Sequence, residues 1–201
     1  LDTMPAVYRA QLASRWNTWL AGRYADTAAL LAVWGAIDQP LQASLLRNGD
    51  FASGQTGWNT ERHDTAAATF ATTTDFSGQP AMRINVTSAG SADWHVQFNQ
   101  GALAVSAGGV YTVSFWAKAS TAVPVRASVA RAYGDYGTIG GDVMPTLGTG
   151  WKRYTFVVQA AAADTNVRLN FNGFGNRLCS VWLADVKLQP GGTIGGLPQG
   201  A

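Results

Sequence analysis

The chain of 201 residues carries a formal net charge of +2, from 14 basic and 12 acidic residues, and only 13% of it is charged, about half the share usual in a soluble domain. The basic residues stand singly, so no phosphate-tracking surface for nucleic acid is expected, and no apolar stretch reaches the ~20 residues that cross a membrane. The length suits one domain with a real core and short flanks, and the opening LDTMPAVYRA, without a start methionine or a charged n-region, reads as part of a longer protein.

Residues 1–40 are predicted to be helical. Tyr8, Leu12, Trp16, Trp19, Leu20 and Arg23 recur at intervals of three and four, which puts them on one helical face. Pro5 suits a first turn. Asp26 can cap a second helix from Thr27 to Trp34, and Gly35 can close it. The wide apolar face with Trp16, Trp19 and Trp34 is expected to pack on the next domain or on a host domain, because it should not remain in water.

From Leu41 the texture changes. Short alternating runs lie at 44–51, 65–73, 81–87, 94–99, 110–118, 124–132, 151–159, 166–172 and 180–188, with Gly, Asn, Asp, Ser and Pro between them. About nine short strands at this spacing predict a mostly β antiparallel sandwich over 41–190, with no helical period for βαβ units. The glycine-rich stretch 134–141 has no following lysine and reads as a loop. The tail 191–201 reads as a linker by composition.

The acid inventory narrows the chemistry. Glu61 is the single glutamate beside eleven aspartates, and the chain has two histidines, His63 and His95, and one cysteine, Cys179. No internal disulfide and no CxxC zinc site can form. No nucleophile elbow, P-loop or dinucleotide fingerprint is present, and no marked carboxylate pair suggests glycoside hydrolysis. Cys179 reads as a small buried apolar residue.

Period two sorts the strands into faces. Tyr111, Val113, Phe115 and Ala117 point one way; Thr112, Ser114, Trp116 and Lys118 point the other. Trp94, Val96 and Phe98 are expected in the core, with His95, Gln97 and Asn99 outside. Likewise Val167, Leu169 and Phe171 face in, while Arg168, Asn170 and Asn172 face out. Such outer faces donate and accept hydrogen bonds together, as sugar hydroxyls require. Tyr133 and Tyr136 on the glycine-rich loop offer a platform at the rim. Trp58, Trp151 and Trp182 read as core or rim residues, and Arg126 and Arg131 as partners of Asp135 or Asp142.

In order, LLRNGDFASGQTGWN, AMRINV, WHVQFNQ, VYTVSFWAKAS, GWKRYTFVV, RLNFNGFG and VWLADVKLQP over residues 44–190 resemble a carbohydrate-binding module of the family 4/9 type. The resemblance implies a jelly-roll sandwich, no catalysis and a polysaccharide or oligosaccharide held along a concave sheet. His95, Gln97, Asn99, Trp116, Arg131, Tyr133, Tyr136, Asn170 and Asn172 are the expected ligand-binding residues. It also implies one structural calcium at the first strand, with Asp50 and Asp185 as ligands. Here the sequence departs from the family pattern: Ala52 stands where a glutamate is common, and LADV replaces a paired-aspartate pattern.

The flank YRAQLASRWNTWLAGRYADTAALLAVWG resembles the helical part of a (β/α)8-barrel glycoside hydrolase. That implies a module inserted in a secreted or cell-surface enzyme, with the catalytic domain in cis. Two further readings are an enzyme on a jelly roll and a structural spacer that packs on its host without binding sugar.

Overall fold

The computed structural model describes residues 6–26, 29–30 and 38–193. They fall in two compact units that divide after Gln39.

In the first unit Ala6–Arg23 forms helix α1. Trp16 and Trp19 stack with centroids 5.0 Å apart, and the Arg23 guanidinium lies 5.0 Å from the Trp19 ring. Further back on the same face, Tyr8 and Leu12 are exposed. Asp26 caps as predicted: its Oδ1 accepts from the Ala29 amide at 2.8 Å, satisfying a donor that a helix start leaves open. Pro5, Thr27, Trp34 and Gly35 lie outside the described residues, as does the tail from 194.

The second unit is a sandwich of two antiparallel five-stranded sheets, as the sequence predicted. Its strands are Asn59–Arg62 (β1), Ala67–Phe76 (β2), Gln79–Ser88 (β3), Val96–Val105 (β4), Val110–Ala119 (β5), Arg126–Arg131 (β6), Thr138–Val143 (β7), Lys152–Gln159 (β8), Asp164–Asn172 (β9) and Cys179–Pro190 (β10). One sheet runs β1-β4-β9-β6-β7 and the other β8-β5-β10-β3-β2. The alternation read for β5 and β9 holds, and the inner faces meet in one core. Phe115 meets Phe171 edge-on at 5.1 Å across the sandwich. Trp58 stacks on Phe98 at 4.7 Å. Cys179 is buried, as expected. Burying each large apolar side chain contributes roughly 1.5–3 kcal/mol relative to exposure.

Three expected elements differ. Residues 44–51 are irregular rather than a strand, because Asn48 and Phe51 take φ of 51° and 57° and side chains fasten the segment. Asn48 Nδ2 donates to the carbonyls of Gly54 and Thr56, both at 2.9 Å. Gln100, buried in the core, accepts from the Arg47 amide at 2.7 Å and donates to the Arg47 carbonyl at 2.8 Å. Gly49 passes so close to β10 that a Cβ would collide with the Val186 carbonyl. The module's two ends lie together: the Gln42 amide donates to Pro190 O at 2.9 Å and the Leu45 amide to Leu188 O at 2.8 Å.

The second difference is the glycine-rich stretch, which becomes edge strand β7 from Thr138; an edge position tolerates its glycines. The third concerns the run at 94–99. Asp93–His95 is a single 3-10 turn and the strand begins only at Val96. A turn of three residues does not continue the alternation of a strand, so Trp94 is exposed and His95 is buried.

Candidate functional site

The outer face of the β1-β4-β9-β6-β7 sheet carries the polar residues that period two sent outward. Register places Glu61 opposite Gln97 and Asn59 opposite Asn99. It also pairs Asn170 with Asn99 on one side and with Ser128 on the other. The side chains of these central strands are buried although they face away from the core: Gln97, Asn99, Arg168 and Asn170 are each less than 9% exposed. They shield one another, and they bond to one another. Asn170 Nδ2 donates to Gln97 Oε1 at 2.8 Å. Asn99 Nδ2 donates to Glu61 Oε1 at 2.6 Å. Arg168 Nη1 reaches the same oxygen at 2.9 Å. His63 Nε2 lies 3.3 Å from the other carboxylate oxygen.

This floor opens into two adjoining hollows. One, of about 570 Å³, is lined by Arg47, Asn59, Asn99 and Asn166 among others. The other, of about 390 Å³, is lined by His63, Trp94, Gln97, Arg126, Asn170 and Asn172 among others. Glu61, Arg168 and Tyr136 border both. Trp94 and Tyr136 are 46% and 54% exposed, so each offers a ring face to a ligand. Asn170 Oδ1 and Arg168 Nε are buried without a hydrogen-bond partner, and both residues line the hollows. A buried polar atom left unpaired costs about 1–3 kcal/mol, a cost that a ligand hydroxyl there would relieve.

The loop bearing Tyr133 and Tyr136 is tied to β9. The Tyr133 hydroxyl donates to Asp164 Oδ2 at 2.8 Å. Asp164 Oδ1 accepts from the Asn166 amide at 2.8 Å. The Asn166 amide first, then the tyrosine, hold the Asp164 carboxyl below the usual carboxylate range. The same bond to Asp164 pushes the Tyr133 phenol up. Asp135 is likewise held low, first by the Gly137 amide and then by Arg131. The expected arginine pairs form: Arg131 with Asp135 at 3.4 Å and Arg126 with Asp142 at 3.3 Å.

The structure thus brings Gln97, Asn99, Tyr136, Asn170 and Asn172 to one face, with Arg131 and Tyr133 fixing its loop. Two predicted residues leave the site. His95 is buried under Gly90, with its Nδ1 3.6 Å from Asp64 Oδ2. Trp116, with Ser114, belongs to β5 in the opposite sheet, paired with Arg153 of β8 and Ala184 of β10. Outward phase on two strands does not make them neighbours unless they share a sheet.

Residues that the expected set omitted join the site, among them Glu61, His63, Trp94 and Arg168. The period-two reading already sent Arg168 outward; its guanidinium lies over the Tyr136 ring at 4.8 Å. The signal for Glu61 was its rarity, a lone glutamate beside GWN.

Asp50 and Asp185 reach one junction, where the Val186 amide donates to Gly49 O at 2.9 Å. Calcium takes six to eight oxygens. Here Asp50 Oδ1 accepts from the Ala52 amide at 3.2 Å, and the Lys187 ammonium lies 2.9 Å from Asp185 Oδ1. Among the described residues no three His, Cys, Asp or Glu side chains gather as a metal cluster. A calcium here would have to displace the Lys187 ammonium from Asp185 and add carbonyl oxygens to the two carboxylates.

Comparison with known proteins agrees with this fold. The CBM_4_9 family model, described as a carbohydrate binding domain, matches residues 43–176. A structure titled "CBM4 structure and function" superposes with a TM-score of 0.62 at 23% identity, covering 72% of this chain and 98% of that one. The N-terminal cellulose-binding domain of β-1,4-glucanase C from Cellulomonas fimi is 27% identical, with a TM-score of 0.51, over 72% of this chain and 93% of its own. The structure "BiXyn10A CBM1 APO" gives a TM-score of 0.57 at 17% identity, over 74% and 99%. No curated protein matches the chain.

Proposed function

The chain belongs to the CBM_4_9 family of carbohydrate-binding domains, which is non-catalytic, and from that premise we propose that its two hollows form one groove for a neutral polysaccharide of the β-glucan or hemicellulose type. One observation carries the reading. A floor of mutually bonded amides, with Asn170 Oδ1 left unpaired, lies between two exposed rings, Trp94 and Tyr136. Amides donate and accept together, as a diol does, and the rings supply apolar area for the faces of sugar rings. Most of the positive charge nearby is balanced, which favours a neutral ligand: of the four arginines at the groove, Arg126, Arg131 and Arg168 are each paired with a carboxylate, and Arg47 at one end has none among the described residues. The likeness to a cellulose-binding domain at 27% identity supports the β-glucan class.

The module serves to tether. A single groove of this kind binds with Kd of roughly 10 μM to 1 mM. Linkage in cis to a glycoside hydrolase, in a secreted or surface-bound enzyme, turns that affinity into a raised local concentration of substrate.

Affinity electrophoresis of the whole chain in gels containing soluble β-glucan, xylan, mannan or galactan tests this. At least one neutral polysaccharide should retard the protein, and Trp94→Ala should reduce the retardation about threefold or more. Retardation by none of the four would leave the spacer reading in its place.

A further inference from the structure

The face opposite the groove is not an ordinary solvated sheet. On the outside of the β8-β5-β10-β3-β2 sheet, Trp116, Trp182, Trp151 and Phe76 are only half-buried. Phe76 lies 5.5 Å from Trp116 and 4.9 Å from Trp151. Lys118 Nζ sits over both Trp151 and Trp182, at 5.1 and 4.9 Å. The Arg83 guanidinium lies 5.2 Å from the Trp182 ring. A shallow hollow of about 420 Å³ is lined by Trp182, Arg83, Asp75, Thr73 and Thr74.

Among the described residues two arginines on this one face lack a carboxylate, against one, Arg47, at the end of the groove. Lys118 pairs with Asp75 at 3.1 Å. Arg83 and Arg153 have no carboxylate partner among the described residues; they donate to the hydroxyls of Ser180 and Ser114. Both are exposed. Register places Arg153 beside Trp116 and Arg83 beside Trp182. Three strand spacings, about 14 Å, separate the two arginines across the sheet. In this face the indoles have cations beside them, and two guanidiniums have hydroxyl partners but no carboxylate among the described residues. A guanidinium of this kind matches a carboxylate bidentately.

We propose that this face is a second glycan-binding surface, separate from the groove, which takes an acidic polysaccharide bearing uronate carboxylates. Arg83 and Arg153 hold the carboxylates. Trp116 lends apolar area to the sugar beside Arg153, while Thr73, Thr74 and Asp75 take hydroxyls in the hollow. The surface shares no residue with the groove, so it stands or falls independently of the neutral-polysaccharide reading. The low total charge of the chain conceals it, because the excess is local.

The test is affinity electrophoresis of the whole chain in polygalacturonate gels, beside a neutral β-glucan gel. Polygalacturonate should retard the protein, and 0.5 M salt should release it, since exposed ion pairs are screened. The double change Arg83→Gln/Arg153→Gln, at two exposed positions, should reduce the acidic retardation at least fivefold, measured against each variant's own mobility in a polysaccharide-free gel, and leave the relative retardation by the neutral gel unchanged. Tyr136→Gly should do the reverse. No retardation by polygalacturonate, or retardation that survives the double change, overturns the proposal. So does acidic binding that Tyr136→Gly abolishes, which would put the uronate in the groove.

Discussion

Arg168 lays its guanidinium over the ring of Tyr136, 4.8 Å from the centroid, although Tyr136 must hold a φ of 54° to present that ring. A bulky residue in this left-handed region costs about 1–2 kcal/mol relative to its ordinary conformation. The stack helps to offset that strain and fixes the ring between the two hollows.

Tyr136→Gly separates the two effects. Glycine removes the strain, so the melting temperature should stay level or rise. The lost stack should weaken polysaccharide binding about three- to tenfold. A fall in melting temperature with unchanged affinity would make the ring a structural anchor only.

Glu61 holds the floor together, since it accepts from both Asn99 and Arg168. The Arg168 side chain is 9% exposed and that of Glu61 32%. Removing one member of a buried pair costs 3–5 kcal/mol, and partial exposure of Glu61 reduces this to about 1–2 kcal/mol. Glu61→Ala should therefore lower the melting temperature by a few degrees, and Glu61→Gln, which still accepts a bond, by less. Thermal unfolding of the two variants measures the difference.

The loop at 132–137 gives binding a pH dependence of known sign. Asp164 and Asp135 are held low in the fold, so their contribution is complete above the ordinary carboxylate value of about 4 and is lost as pH falls through their lower folded values. Tyr133 is pushed up, so its contribution is complete below about 10 and is lost as pH rises through the folded value. The loop's contribution to affinity should therefore decline below about pH 4. Asp164→Asn should soften the acid decline; an unchanged acid limb in that variant would show that this loop does not govern it.

Gly49→Ala tests the close approach to β10. A Cβ there meets backbone rather than a flexible side chain, and such overpacking costs about 1–3 kcal/mol. The expected result is a lower melting temperature with affinity per folded molecule unchanged.

At the same junction a chelator should move the melting temperature by no more than about a degree, because Lys187 supplies the positive charge beside Asp185. Lys187→Met should lower stability slightly, by up to about 1 kcal/mol for an exposed pair. A large loss of stability in EDTA would restore calcium to this site.

Period two made much of the sandwich legible. It sorts β5, β9 and the 96–99 end of β4 correctly into core and outer positions, and so sends Gln97, Asn99 and Asn170 to one outer face. It failed where its premise failed. The 3-10 turn at 93–95 exchanged Trp94 for His95. It also carries no information on which strands share a sheet, so Trp116 was assigned to the wrong face. The irregular segment 44–51 misled for another reason: its apolar residues are buried, but side-chain bonds from Asn48 and Gln100 replace a ladder. Glu61 and Arg168 meet across 107 residues of chain, a relationship that no local pattern encodes.

The bond between the Gln42 amide and the Pro190 carbonyl, at 2.9 Å, closes the sandwich's entry against its exit. Entry and exit share one doorway, so a polypeptide that carries this sandwich need not lengthen its own path to do so. Neighbouring ends of this kind let a domain be inserted, excised or circularly permuted with little effect on the surrounding chain. Gain or loss of the whole sandwich is therefore available as a single step.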